Sequence, residues 1–167
     1  MKTLIIYCTT HGFTEKVVNE IKTFIGGNVS LCNLKKETAP DVNLFDRVII
    51  GGSIHAGQIQ KKIREFCKSN QESLLKTELG LFICCMEEGK KAYEELEQVY
   101  PKALIQHAKA TACLGGAFNF EKMNFLEKFI VRKVAKVSKS ISKEDHESVR
   151  VFSNKMNKIF NPFLFFV

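Results

Sequence analysis

Short, nearly unbroken apolar runs alternate along this chain with longer segments in which apolar residues recur at every third or fourth position. The runs predict strands at 3–8, 28–33, 47–51, 80–86 and 108–114. The periodic segments predict helices at 14–25, 60–70, 90–100, 124–138 and 145–160. Val48-Ile49-Ile50 and Leu81-Phe82-Ile83-Cys84-Cys85 are apolar on successive positions, so both faces of each strand must be covered. Strands of that kind belong to a parallel sheet between two helical layers. The expected architecture is a doubly wound α/β fold with a five-stranded parallel sheet. No repeat, low-complexity stretch or linker interrupts it, and Pro40, Pro101 and Pro162 fall between or beyond the predicted elements. Residues 1–167 are read as one domain, long enough for a substantial core.

Composition removes several function classes. No run approaches the roughly 18 consecutive apolar residues of a membrane span, and the N-terminus has no secretory-signal pattern, so a cytosolic location is expected. Of the six cysteines, Cys8, Cys32, Cys84, Cys85 and Cys113 sit inside apolar runs, where cysteine behaves as a small core hydrophobe. No Cys-x-x-Cys spacing occurs, and no metal site is expected.

Candidate chemistry gathers at the carboxyl ends of three predicted strands. Thr9-Thr10-His11-Gly12-Phe13-Thr14 joins the first strand to the first helix. A helix N-terminus presents unpaired N–H groups and the positive end of the macrodipole, and three threonine hydroxyls can donate to phosphate oxygens beside it. The loop matches neither Gly-x-x-x-x-Gly-Lys-Ser/Thr nor Gly-x-Gly-x-x-Gly. The same residues would also serve an ordinary turn with Thr as N-cap. The second candidate, Gly51-Gly52-Ser53-Ile54-His55-Ala56-Gly57-Gln58, follows the third strand and offers backbone polar groups with Ile54 and His55 as cover for a flat ring. The third, Cys85-Met86-Glu87-Glu88-Gly89, would complete the wall, although Glu87 and Glu88 also suit the N-terminus of the next helix.

The first loop resembles the flavodoxin phosphate-binding motif Ser/Thr-x-Thr-Gly-x-Thr, with His11 where a small hydroxyl residue is usual. Ile50-Gly51-Gly52-Ser53-Ile54-His55-Ala56-Gly57 resembles the Ile-Gly-Ala-Ser-Ile-x-x-Gly segment of the flavodoxin-like, menaquinone-dependent protoporphyrinogen IX dehydrogenases. Leu114-Gly115-Gly116-Ala117-Phe118, with the basic, aromatic stretch 121–136, is similar to that family's Gly-x-Leu segment and helical insertion. Two departures are Ala56, where the family tends to carry an aromatic residue, and a shorter loop at 86–91. The resemblance implies strand order 2-1-3-4-5, a basic helical insertion after the fifth strand and flavin mononucleotide (FMN) as cofactor. It implies FMN contacts from Thr9, Thr10, His11, Gly12, Phe13 and Thr14, from Ser53, Ile54, His55, Ala56 and Gly57, and from Cys85, Met86, Glu87, Glu88 and Gly89. The implied reaction moves reducing equivalents from a porphyrinogen to a quinone. No catalytic acid or base is assigned.

Charge then bears on partners. The chain carries 25 Lys and Arg against 18 Asp and Glu, a net of +7, and residues 122–143 hold seven basic residues and one acid, 7 − 1 = +6. Phe125, Leu126, Phe129, Ile130, Val134 and Val137 recur at helical spacing among them. This basic amphipathic helix suits peripheral contact with an anionic membrane, where a quinone is available, or tetrapyrrole propionates. It also fits a core-facing stripe with solvated charges. No nucleic-acid partner is expected, since no recognition motif accompanies the charge. The alternative function is a flavodoxin-type electron carrier that docks with redox partner proteins; a positive chain argues against acidic-carrier partner sets. A nicotinamide-dependent reductase has no binding signature here. The apolar tail 161–167 is too short to span a bilayer and suits packing or an oligomer contact.

Overall fold

A computed structural model describes residues 1–157, so the tail 161–167 and the end of the helix predicted at 145–160 lie outside the described residues. Five parallel strands form the sheet: β1 (Lys2–Cys8), β2 (Asn28–Asn33), β3 (Arg47–His55), β5 (Glu78–Cys84) and β6 (Ala110–Cys113), in the order β2-β1-β3-β5-β6. Counting parallel strands only, this is the expected 2-1-3-4-5 arrangement. A short strand β4 (Gln58–Ile59) pairs antiparallel with the end of β3.

The unbroken apolar strands are central because each feeds two helical layers. Ile5, Ile49 and Phe82 point to one face, against Val17, Val18 and Ile21 of α1 (Phe13–Phe24) and Val149, Phe152 and Met156 of α7 (His146–Asn157). Leu4, Ile6, Ile50, Leu81 and Ile83 point to the other, against Ile63, Phe66 and Cys67 of α2 (Lys61–Ser69), Leu96 of α4 (Gly89–Val99) and Leu104 of α5 (Lys102–His107). A single turn, α3 (Gln71–Leu74), follows α2. Fully buried side chains of this size contribute roughly 1.5–3 kcal/mol each. At the amino end of the sheet the buried Arg47 donates to Glu78 Oε2 at 3.1 Å and to the Met156 carbonyl at 2.7 Å, fastening α7 to β3 and β5.

Three departures from the sequence reading shape the site. Strand β3 does not stop at Gly51. It pairs with β5 as far as Ser53 opposite Cys84, then turns back through Ala56-Gly57, both at positive φ (50° and 72°), into β4. Two residues of positive φ between paired strands make a type I′ hairpin, so 51–58 is largely strand rather than open loop. The strand predicted at 80–86 ends at Cys84, which leaves Cys85 and Met86 in the connection to α4. The insertion after β6 is not only a helix. Its strands β7 (Gly115–Phe118) and β8 (Ile141–Glu144) pair antiparallel and bracket α6 (Phe125–Ala135). Residues 141–144 are all exposed and carry no hydrophobic alternation, so nothing in their sequence marks them as a strand.

Candidate functional site

A cavity of about 340 Å³ opens at the carboxyl ends of β1, β3 and β5. This is where a doubly wound sheet reverses direction and where such folds place ligands. Its floor is the β1–α1 loop, its sides are the β3–β4 hairpin and the β5–α4 loop, and β7 and α6 close it from above.

The floor leads into an uncapped helix N-terminus. Gly12 is the N-cap of α1 at φ 93°, and no side chain caps the helix; the Gly12 carbonyl accepts the first helical bond from the Lys16 N–H. The Thr9 hydroxyl accepts from the Gly12 N–H at 3.0 Å, which curls the loop and leaves the first-turn N–H groups directed outward. Thr9 therefore shapes the loop, and the reading of a Thr-capped turn does not hold. The Thr14 hydroxyl is buried without an oxygen or nitrogen partner, beside the Cys84 thiol. An orphaned buried hydroxyl beside an uncapped helix start fits a terminal phosphate.

The insertion supplies what the loop lacks in charge. Lys122 Nζ donates to the His11 carbonyl at 3.3 Å and lies 3.7 Å from where a Cβ on Gly12 would stand. Glu127 Oε2 approaches His11 Nε2 at 3.7 Å, too far for a hydrogen bond, so that buried nitrogen has a charge neighbour but no hydrogen-bond partner. Glu127 also closes a capping box with Asn124, which fixes the first turn of α6 over the loop.

A polar chain runs along the hairpin side. Gln60 donates to the Ser53 hydroxyl at 2.6 Å, Ser53 Oγ lies 3.0 Å from His55 Nε2, and the His55 and His11 rings meet edge to face at 6.2 Å. Desolvation of the cavity side of His55, reinforced by His11 and opposed by Glu127, holds its pKa below the ordinary histidine value. The ring is thus neutral near pH 7, able to donate from one nitrogen and accept at the other.

Thr9, Thr10, His11, Phe13, Thr14, Ser53, Ile54, His55, Ala56, Gly57, Cys85, Met86 and Glu87 all line this cavity. Gly12 stands behind it as the N-cap. Glu88 and Gly89 face a separate outer cleft, where Glu88 pairs with Lys143 at 2.8 Å. Sequence reasoning did not place Glu95, Met123, Glu127, Ile130, Val131 or Ala135 on the cavity, although all line it. The apolar stripe at 125–137 was visible in the sequence. Its division was not: Ile130, Val131 and Ala135 turn to the cavity, while Phe125, Leu126 and Phe129 are 87%, 65% and 55% exposed.

This sheet order, with a phosphate-type loop after β1 and a cavity at the switch point, defines a nucleotide-cofactor protein of the doubly wound class. The chain belongs to the flavodoxin family: residues 4–145 match the flavodoxin domain. It is similar to the protoporphyrinogen IX dehydrogenase [quinone] of Escherichia coli (strain K12), 23% identical over 173 residues that cover 93% of this chain and 94% of that protein. In three dimensions it resembles a short-chain flavodoxin associated with a non-canonical PDU bacterial microcompartment (TM-score 0.61, 12% identity, 93% and 96% of the two chains). It also resembles oxidised flavodoxin 1 from Bacillus cereus (TM-score 0.55, 12% identity, 93% and 97%) and a Fusobacterium nucleatum flavodoxin bound to FMN (TM-score 0.50, 12% identity, 93% and 96%). Among the described residues no helix is long and apolar enough to cross a membrane, and no His, Cys, Asp and Glu group could hold a metal.

Proposed function

We propose that this protein is an FMN-dependent oxidoreductase that takes reducing equivalents from a porphyrinogen and passes them to a quinone. The observation that carries the reading is the cavity itself, with an uncapped helix start and the orphaned Thr14 hydroxyl at one end and a roof built from the insertion. Thr10, Thr14 and the first N–H groups of α1 would hold the phosphate, with Lys122 adding a positive charge. The hairpin from Ser53 to Gly57, Met86 and β7 would hold the ring system. Bound FMN supplies two-electron and one-electron chemistry. The protein supplies orientation, a neutral imidazole at His55 and exclusion of water beneath α6. The similarity to the Escherichia coli dehydrogenase runs nearly end to end, which supports the choice of substrates.

The outer face of α6 supports delivery at a membrane. Phe125, Leu126 and Phe129 project to solvent beside Lys128, Arg132 and Lys133, and each cation near an anionic surface adds about 1 kcal/mol. Substituting Lys128, Lys133 and Lys136 with Glu is expected to abolish co-sedimentation with phosphatidylglycerol vesicles while FMN binding persists. Undiminished sedimentation would remove the membrane from this proposal. Lys122→Ala is expected to weaken FMN affinity roughly tenfold, about 1.4 kcal/mol, by loss of the ammonium over the phosphate loop. Titration of the stripped protein with FMN reads that effect, and an unchanged Kd would place Lys122 in loop structure alone.

The test of the reaction is anaerobic oxidation of protoporphyrinogen IX by the FMN-loaded protein with menadione as acceptor, followed by porphyrin fluorescence. Quinone-dependent turnover is expected. FMN-loaded protein that accepts electrons from dithionite yet leaves the porphyrinogen untouched would instead favour the electron carrier.

A further inference from the structure

The sulfurs of Cys85 and Cys113 lie 2.9 Å apart at the carboxyl ends of adjacent parallel strands. Their closeness follows from register. Ile83 of β5 pairs with Cys113 of β6, and Cys85, two residues on, returns its side chain to the same face. A disulfide bond needs about 2.05 Å, a closure of about 0.9 Å. The other four cysteines, Cys8, Cys32, Cys67 and Cys84, are buried, and all six are free thiols. Cys113 alone is partly exposed, and it lines the outer cleft of about 660 Å³ bounded by α4, α7 and β8. Cys85 lies between that cleft and the cofactor cavity and lines both.

The two thiols are not equivalent. The hydrogen bond between them lowers the Cys113 pKa below the ordinary thiol value and raises that of Cys85. Burial and the neighbouring Glu95 carboxylate reinforce the rise at Cys85 and oppose the fall at Cys113. Cys113 is the more accessible sulfur and the one that an incoming disulfide in the outer cleft meets first.

We infer that Cys85 and Cys113 form a reversible dithiol–disulfide pair that exchanges with low-molecular-weight disulfides entering through the outer cleft. Cys113 thiolate attacks one sulfur of the incoming disulfide; the Cys113–sulfur bond forms, the incoming S–S bond breaks and one thiolate leaves. Cys85, losing its proton, then attacks the Cys113 sulfur, forming the Cys85–Cys113 bond and expelling the second small thiol. In sum, two protein thiols are oxidised by two electrons, one small disulfide is reduced to two thiols, and both protein protons pass to those thiols. The bridge pins the backbone that leads into Met86 and Glu87, so the thiol state bears on the wall of the cofactor cavity. This inference does not depend on the porphyrinogen reaction.

The test uses the full chain, first reduced, freed of reductant and then exposed to glutathione disulfide, with an acid quench and alkylation. The expected product takes up four alkyl groups instead of the six of the reduced chain, 6 − 2 = 4, and yields a cross-linked peptide pair whose fragmentation assigns Cys85 to Cys113. Cys85→Ala should stop at a glutathione adduct on Cys113, formed about tenfold faster than an adduct on any other cysteine. Six thiols persisting in the wild-type chain, or a bridge through Cys84, overturns the inference without recourse to any variant. Equal adduct formation on Cys85 in Cys113→Ala overturns the assignment of the attacking sulfur.

Discussion

Thr10→Ala combined with Thr14→Ala is expected to weaken FMN binding by about 3–6 kcal/mol, since each hydrogen bond from a hydroxyl to a charged phosphate contributes about 1.5–3. Kd should rise by roughly two to four orders of magnitude, which flavin fluorescence titration resolves. The two residues do not share the effect equally. The Thr10 side chain is exposed and gives up hydration to bind, whereas the Thr14 hydroxyl is already buried and unpartnered. The apo protein therefore carries the desolvation penalty of Thr14 before any ligand arrives. The double variant should therefore show a smaller FMN-induced rise in Tm than the parent. A folded double variant that keeps parental affinity would exclude this loop as the phosphate cradle.

Gly116→Ala is expected to cost about 3 kcal/mol or more of folding stability, or to lift the insertion off the cavity. A Cβ at this position would stand 2.4 Å from the Cys85 carbonyl oxygen, 2.5 Å from its carbon and 3.0 Å from the Met86 nitrogen. These are backbone atoms at the end of a central strand, so no rotamer change relieves the clash. Gly116 is where β7 crosses the β5–α4 connection, and its neighbours Ala117 and Phe118 line the cavity. The variant should thus lose FMN affinity together with stability, measured by urea unfolding and by flavin titration on the same preparation. Retention of both would show that the crossing has slack and that β7 does not brace the cavity wall.

The chain's local patterns reveal the frame and most of the floor of this site. Val48-Ile49-Ile50 and Leu81 to Cys85 reveal two-sided burial, because a strand covered on both faces has no polar positions to alternate with. The β1–α1 loop is legible for a related reason: it is made by a strand end, a turn and a helix start that are consecutive in sequence. The extent of β3 was not legible. Gly51 and Gly52 look like the start of a loop, yet Gly51 continues the ladder by leaving its space to the Phe82 ring, which a Cβ would meet at 2.1 Å. A glycine chosen to make room for a distant ring looks the same in sequence as one chosen for a turn.

The roof depended on tertiary structure altogether. In sequence, Lys122, Glu127 and Ile130 belong to a basic amphipathic segment whose face could turn to the core, a membrane or a partner. In the fold they reach across to Gly12, His11 and the cavity from more than a hundred residues away. The pairing of Cys85 with Cys113 likewise exists only through the β5–β6 register. By itself the sequence determined the parallel sheet, its two helical layers and the turn that opens the first helix, because periodicity, burial and helix ends are properties of neighbouring residues. The tertiary structure alone decided which side of α6 closes the cavity, which loop acids face elsewhere and which thiols meet. Those are contacts between segments far apart in the chain, and no local pattern encodes the partner.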